Sequence, residues 1–175
     1  MERTLKPNPV KLIFGFIFKE QDSLNLTKKL LDKHFGAIDF VSPVFDFNYT
    51  RYYEKEFGQG LRKVFVSFKK LISPEELSKI KVFSNKIERK LSKGNKRSIN
   101  IDPGYIGLAK LILASTKDYC HRIYLGKGIF AEVTLVFEGK SYKPWPWTYP
   151  DYGSEEHISI FNKIRGIYAA QIKNI

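Results

Sequence analysis

Ser73-Pro74-Glu75-Glu76 constrains this chain more than any other stretch. Ser73 is placed to cap a helix, and Pro74 takes the first helical position, where a missing N–H costs nothing. Glu76, three residues after Ser73, closes a capping box. Apolar Leu77, Ile80, Phe83, Ile87 and Leu91 then recur every three or four residues, and Lys93-Gly94-Asn95-Lys96 ends the run. The spacing predicts a helix with that stripe on the core and with Lys79, Lys81, Lys86, Arg89 and Lys93 turned outward. Such a helix forms whatever its basic face binds.

Elements on either side follow from period and turn chemistry. Pro9 to Phe18 reads as a buried strand in which Gly15 allows a bulge or a close approach. Asp22 or Ser23 is placed to cap a helix lined by Leu26, Leu30, Leu31 and Phe35 and ended at Gly36 in the left-handed conformation. Ile38 to Phe47 is a strand broken at Pro43. Asn48 to Gly60, aromatic and polar without a clean period, is a loop or short helix over the core. Leu61 to Phe68 alternates as a strand, and Arg97 to Ile101 is a short one. Strand, helix, strand, strand, helix, strand is the order of a ferredoxin-like (βαββαβ) unit.

The second part reads mostly as sheet. Asp102-Pro103-Gly104-Tyr105 has the composition of a turn: proline at the second position, glycine for positive φ at the third. Leu108 to Ala114 is a strand or a short helix, and its flanking turns favour the strand. Cys120 to Leu125 and Ile129 to Phe137 flank Gly126-Lys127-Gly128 as a hairpin. Trp145 to Asp151 is an aromatic loop stiffened by proline. Ser154 is placed to cap a last helix whose apolar side is Ile158, Phe161, Ile164 or Ile167, Tyr168 and Ile172. With no repeat or linker, the expectation is one α+β domain over residues 1–175. It has a mixed or antiparallel sheet with helices packed on it, and the ferredoxin-like part is extended by a C-terminal hairpin and helix.

Composition limits the function classes. The 175 residues are 43% hydrophobic and 15% aromatic, too apolar for a disordered chain. No apolar run approaches the ~18 residues of a membrane span, and the polar Met1 to Pro9 segment is not a signal peptide, so no membrane association is expected. Cys120, the single cysteine, has no internal partner for a disulfide, which points to the reducing cytoplasm. The formal net charge is +12, and the first 97 residues carry +10 of it. Lys79 to Arg97 alone holds eight basic residues against Glu88. A local patch of this kind is an electrostatic footprint for phosphates, so Lys79, Lys81, Lys86, Arg89, Lys93 and Arg97 are the candidate RNA-binding residues.

Candidate chemistry lies beyond Arg97. If Leu125 pairs with Ile129, then Tyr124 opposes Phe130 and Arg122 opposes Glu132 on one face, with His121 on the other beside Ile123, Leu125 and Val133. Asp102, His121 and Glu132 are acid/base candidates and Arg122 an anion clamp. Asp151 joins the acids because stiff aromatic loops rim pockets. Tyr105, Lys110, Ser115, Lys117 and Tyr124 are candidate ligand contacts. The three histidines and one cysteine have no metal-ligand spacing, so no structural zinc is expected. Gly139-Lys140-Ser141 lacks the glycine five residues earlier, where Thr134 stands, so no phosphate-binding P-loop is expected either.

Several blocks together resemble a known family. They include Phe35-Gly36-Ala37-Ile38-Asp39, Asn100-Ile101-Asp102-Pro103-Gly104-Tyr105, His121-Arg122-Ile123-Tyr124-Leu125, Ala131-Glu132-Val133-Thr134-Leu135 and Thr148-Tyr149-Pro150-Asp151-Tyr152. The chain is similar over nearly its whole length to a prokaryotic family catalogued as domain of unknown function 4416. The resemblance implies no established activity. Its motifs fall on Asp102, Tyr105, Lys117, His121, Arg122, Glu132 and Asp151.

The leading expectation is therefore a small cytoplasmic enzyme or ligand-binding protein for a phosphorylated or nucleotide-like anion. One alternative is an RNA-binding module using the Lys79–Arg97 face. The other is a structural or partner-binding protein without catalysis.

Overall fold

A computed structural model describes residues 4–173 of the chain. Strand β1 (Val10–Phe18) is its centre, buried along its whole length because both faces are covered. Around it the order is α1 (Gln21–Phe35), β2 (Ile38–Val41), β3 (Phe45–Asp46), α2 (Glu54–Phe57), β4 (Arg62–Ile72) and α3 (Leu77–Lys90). Then follow β5 (Ile99–Ile106), β6 (Lys110–Ser115), β7 (Arg122–Gly126), β8 (Ile129–Glu138), β9 (Ser141–Pro144) and α4 (Glu155–Ile172). All nine strands form one antiparallel sheet in the order β2-β4-β1-β5-β6-β8-β7, with β3 added to β4 and β9 to β8.

The stretch β2-β4-β1-β5 has the strand order of the expected ferredoxin-like unit, and β6 to β9 extend the sheet on its β5 side. Alternation along β1 divides the core. Leu12, Phe14, Phe16 and Phe18 pack with Val64, Val66 and Phe68 of β4 against Leu24 and Leu31 of α1 and Ile80 and Ile87 of α3. Ile13, on the other face, joins Phe65, Leu113 and Leu135 under Ile160, Phe161, Ile164 and Tyr168 of α4. A third cluster of Ile17, Phe47, Phe57 and Leu61 anchors the segment between β3 and β4.

Helix ends mostly follow their sequence signals. The capping box forms, with the Ser73 amide donating to Glu76 Oε2 at 3.0 Å, and the first turn, Pro74–Glu76, is a 3-10 turn that leads into α3. Ser154 caps α4 by accepting from the His157 amide. Helix α1 departs from expectation. It begins one residue before Asp22 without a side-chain cap, and Leu24, Thr27 and Leu31 are its buried residues, while Leu26 faces solvent. Gly36 ends it with positive φ but extended ψ rather than in a left-handed turn. The strand β9 had no sequence signal, because Gly139-Lys140 is a tight turn and only four residues pair beyond it.

One expectation is overturned in a way that shapes the molecule. Asp102-Pro103-Gly104-Tyr105 is not a turn but the middle of β5, paired with Gly15, Phe14, Ile13 and Leu12 of β1. Gly104 has no positive φ. It is needed because a Cβ there would meet the Ile112 carbonyl oxygen at 2.3 Å, so glycine is what lets β6 approach. The β5–β6 ladder begins only at Gly104, and below it the two strands part. Pro103 lies two residues from Ile101, whose amide and carbonyl both turn toward this gap. A proline, having no N–H, leaves no unmet donor on that open edge.

Candidate functional site

The parting of β5 and β6 opens a cavity of about 750 Å³. Helix α3 closes it from one side. Its Lys81 Nζ donates to the Ile101 carbonyl at 2.8 Å, and its Glu88 Oε1 accepts from the Ile101 amide at 2.6 Å. These two side chains take the hydrogen bonds that a neighbouring strand would have made. Lys81, expected to point outward, is therefore buried, because the open strand edge has backbone groups to satisfy. Burial pushes the Glu88 carboxyl above its usual range, against the opposing pull of the Lys81 charge.

Asp102 of β5 stands opposite Gly15 of β1, and Lys63 of β4 stands opposite Ile17, two residues along β1 on the same face. Lys63 is 1% exposed, and its Nζ lies 3.0 Å from Asp151 Oδ2 and 3.9 Å from Asp102 Oδ2. It also stands over the rings of Tyr152, Phe65 and Phe47. Gly15 makes the room, since a Cβ there would fall 2.6 Å from Tyr152 Oη and 3.3 Å from Lys63 Cε; the close approach expected at this glycine is with Tyr152 and Lys63. Asp102 Oδ2 accepts from Asn100 Nδ2 at 2.7 Å, whereas the nearest cation to Oδ1 is Lys81 at 3.7 Å. One oxygen of Asp102 thus accepts a hydrogen bond, and the other makes only the longer contact with Lys81.

Arg97 leaves the basic face it was assigned to. Its guanidinium makes a two-point bond to Glu56 of α2, both contacts at 2.7 Å, and reaches Glu88 at 3.3 Å and Asn100 at 2.9 Å. The Glu56 hydrogen bonds hold Arg97 above its ordinary range, and Arg97 in turn holds the Glu56 carboxyl below its own. This tie fastens the segment between β3 and β4 over the cavity, which brings Tyr49, Tyr52 and Tyr53 into its wall. Burial, and then the Asp102 charge, push the Tyr53 hydroxyl well up, so it stays protonated.

The opposite wall comes from β6, β8 and the Tyr149–Tyr152 loop. The expected Arg122–Glu132 and Tyr124–Phe130 pairs form, but a bulge makes Gly126, not Leu125, the partner of Ile129. Arg122 Nε donates to Glu132 Oε2 at 2.9 Å, its Nη1 donates to Ser115 Oγ and the Lys117 carbonyl, and its Nη2 donates to Tyr149 Oη at 2.9 Å. His121 also departs from expectation: lying just before β7, it turns to Glu132, with Nε2 3.0 Å from Oε2, and stacks on Trp147. Glu132 Oε1 accepts from Thr134 at 3.1 Å, so both oxygens of this buried carboxylate are engaged.

Of the residues raised from sequence, Asp102, Glu132, Asp151, Ser115 and Lys117 line the cavity, joined by Lys81 and Arg97 from the basic helix region. Arg122 and His121 brace its wall from behind, through Glu132. Three do not converge. Lys110 is exposed at the far end of β6, opposite Val136. Tyr105 packs into the core, and Tyr124 packs at a tilt against Phe130 and accepts from the Gly128 amide. Sequence reasoning missed Lys63, Tyr53, Asn85, Asn100, Tyr149 and Tyr152. A lysine among Val64, Phe65 and Val66 on a strand was the one available signal for Lys63.

Four cations (Lys63, Lys81, Arg97, Lys117) and four carboxylates (Glu88, Asp102, Glu132, Asp151) line the cavity. Among the described residues Lys117 forms no ion pair; its ammonium sits over the Tyr52 ring, 4.6 Å from the centroid. Tyr152 Oη is buried without a hydrogen-bond partner. Among the described residues no group of three His, Cys, Asp or Glu side chains is arranged to hold a metal ion. No described helix is long and apolar enough to cross a membrane.

A model of the family described as Domain of unknown function (DUF4416) matches residues 8–168. No curated protein matches the chain, and no solved structure matches it.

Proposed function

The chain belongs to the DUF4416 family, and we propose that its β5–β6 cavity binds a phosphorylated, nucleotide-like small molecule, as an enzyme or as a ligand-binding protein. The observation that carries this reading is the convergence, in one cavity of about 750 Å³, of tyrosines, an unpaired rim lysine and a half-held carboxylate from distant parts of the chain. That volume is within the range of small-molecule sites, roughly 300–1,000 Å³. Tyr49, Tyr52, Tyr53 and Tyr149 offer flat faces for a ring. Lys117, with the hydroxyl of Thr116, is the contact for an anionic group, because among the described residues only Tyr52, and no carboxylate, engages its ammonium.

Asp102 is the proton acceptor in this reading, since Asn100 holds Oδ2 at 2.7 Å with Lys63 3.9 Å from the same oxygen, while Oδ1 has only the longer 3.7 Å contact with Lys81. Asp151 holds Lys63. Arg122, His121 and Glu132 become positioning residues, their polar atoms being engaged with one another and with Tyr149 and Ser115. A cytoplasmic location fits the single cysteine, and a prokaryotic origin rests on the family resemblance.

Calorimetric titration with nucleosides and their mono-, di- and triphosphates tests this, together with mass spectrometry of anything that co-purifies. A nucleotide is expected to bind at least about tenfold more tightly than its nucleoside, with Lys117→Ala removing most of that margin. Asp102→Asn keeps binding and abolishes any turnover. Absence of binding by every nucleotide, with no co-purifying phosphorylated compound, refutes the reading.

A further inference from the structure

Helix α3 presents three surfaces in rotation. Ile87 faces the core, Glu88 the cavity and Arg89 solvent, each about 100° from the last; Ser84, Asn85 and Lys86 repeat the sequence one turn earlier. Arg89, next to Asn85 in rotation, therefore stands at the cavity-side edge of the solvent surface, Lys79, Lys86 and Lys90 lie further round it, and Lys93 and Lys96 follow in the turn after the helix, all six basic residues exposed. None of these six forms an ion pair among the described residues. From Lys86 to Lys90, the last helical residue, the row runs about 6 Å at 1.5 Å per residue, the spacing of roughly two successive phosphates.

Asn85 lies where the two surfaces meet. It lines the cavity, and its side-chain amide makes no hydrogen bond within the described residues, so it offers both a donor and an acceptor. Bases have that pattern on their edges, and tyrosine walls suit their faces.

Resting on the reading of the cavity as a nucleotide site, we infer that its substrate class is a single-stranded nucleic acid: one nucleotide enters the β5–β6 cavity and the adjoining phosphates lie on the basic face of α3. The cavity then reads a base while the helix holds the backbone. Charge on the helix supplies attraction for the strand and no chemistry.

Fluorescence anisotropy with labelled 12-nucleotide RNA and DNA strands, alongside calorimetry with a mononucleotide, tests the inference. The strand is expected to bind at least about tenfold more tightly than the mononucleotide at 50 mM salt and to weaken steeply by 200 mM. Lys86→Glu/Arg89→Glu/Lys93→Glu, all exposed positions, is expected to weaken strand binding more than about tenfold and to change mononucleotide binding less than twofold. Tyr52→Ala/Lys117→Ala weakens both. If the strand binds no better than the mononucleotide, or the charge reversal leaves it unaffected, the inference fails and the nucleotide site stands. If the strand responds to the reversal but not to the rim variant, the helix holds it without the cavity, and the inference fails. If neither ligand binds, the cavity reading fails with it.

Discussion

Lys63 Nζ lies 3.0 Å from Asp151 Oδ2, an ion pair between the middle of the sheet and the loop before α4, with both side chains almost wholly out of solvent. It ties the floor of the cavity to its wall. Removing one partner leaves the other charge buried without compensation. Lys63→Met is expected to cost about 3–5 kcal/mol in urea denaturation. Lys63→Met/Asp151→Asn should cost less than the sum of the two single changes. A cycle with coupling under about 0.5 kcal/mol would show that the pair contributes nothing specific.

Gly104 and Gly166 separate a glycine that the fold requires from one it does not. A Cβ at 104 meets the Ile112 carbonyl at 2.3 Å, and backbone cannot swing aside. Gly104→Ala should therefore lose more than about 2 kcal/mol or fail to fold. Gly166, inside α4 with nothing within 4 Å of its Cβ position, should gain about 0.5–1 kcal/mol as alanine. Thermal melting of the two variants checks both signs.

The Arg97–Glu56 tie holds the aromatic wall over the cavity. Hydrogen bonding from Arg97 keeps the folded-state Glu56 carboxyl below its ordinary 4.5. The stability this contributes is present above pH 4.5 and is lost as pH falls through the lower, folded value. Glu56→Gln should cost roughly 1 kcal/mol at pH 7, flatten the acid limb of the stability profile, and speed amide exchange across Tyr53 to Phe57.

His157 is buried beneath Phe45 and Phe65, with Nδ1 2.6 Å from the Asp151 carbonyl and Nε2 unpartnered. Burial lowers its pKa from 6.5, only partly opposed by that carbonyl. The folded state therefore resists protonation that the unfolded chain accepts, and stability is lost as pH falls below 6.5 toward the folded value. His157→Phe should lose about 1–2 kcal/mol at pH 8 with the hydrogen bond, yet show a smaller further loss between pH 6.5 and 5. An unchanged slope over that interval would exclude His157 as its source.

Local chemistry was legible in the sequence wherever a rule acts within a few residues. The Ser73–Glu76 box, the Ser154 cap, the break at Pro43 and the Arg122–Glu132 register all follow from neighbours along the chain, and each is present. The element order pointed to the ferredoxin-like half for the same reason: periodicity reports which face of an element is buried. Tertiary structure alone decided Asp102-Pro103-Gly104-Tyr105. Its composition favours a turn, but pairing with β1 outweighs that preference, and the glycine serves the Ile112 carbonyl rather than a positive φ. It also decided that Lys81 and Glu88 turn inward on α3, since the open edge of β5 presents the Ile101 groups they satisfy, and that Arg97 pairs with Glu56 and Glu88. A cavity formed where two strands part is made of residues from β4, α3, β5, β6 and the loop before α4, and no pattern along the chain records which of them meet.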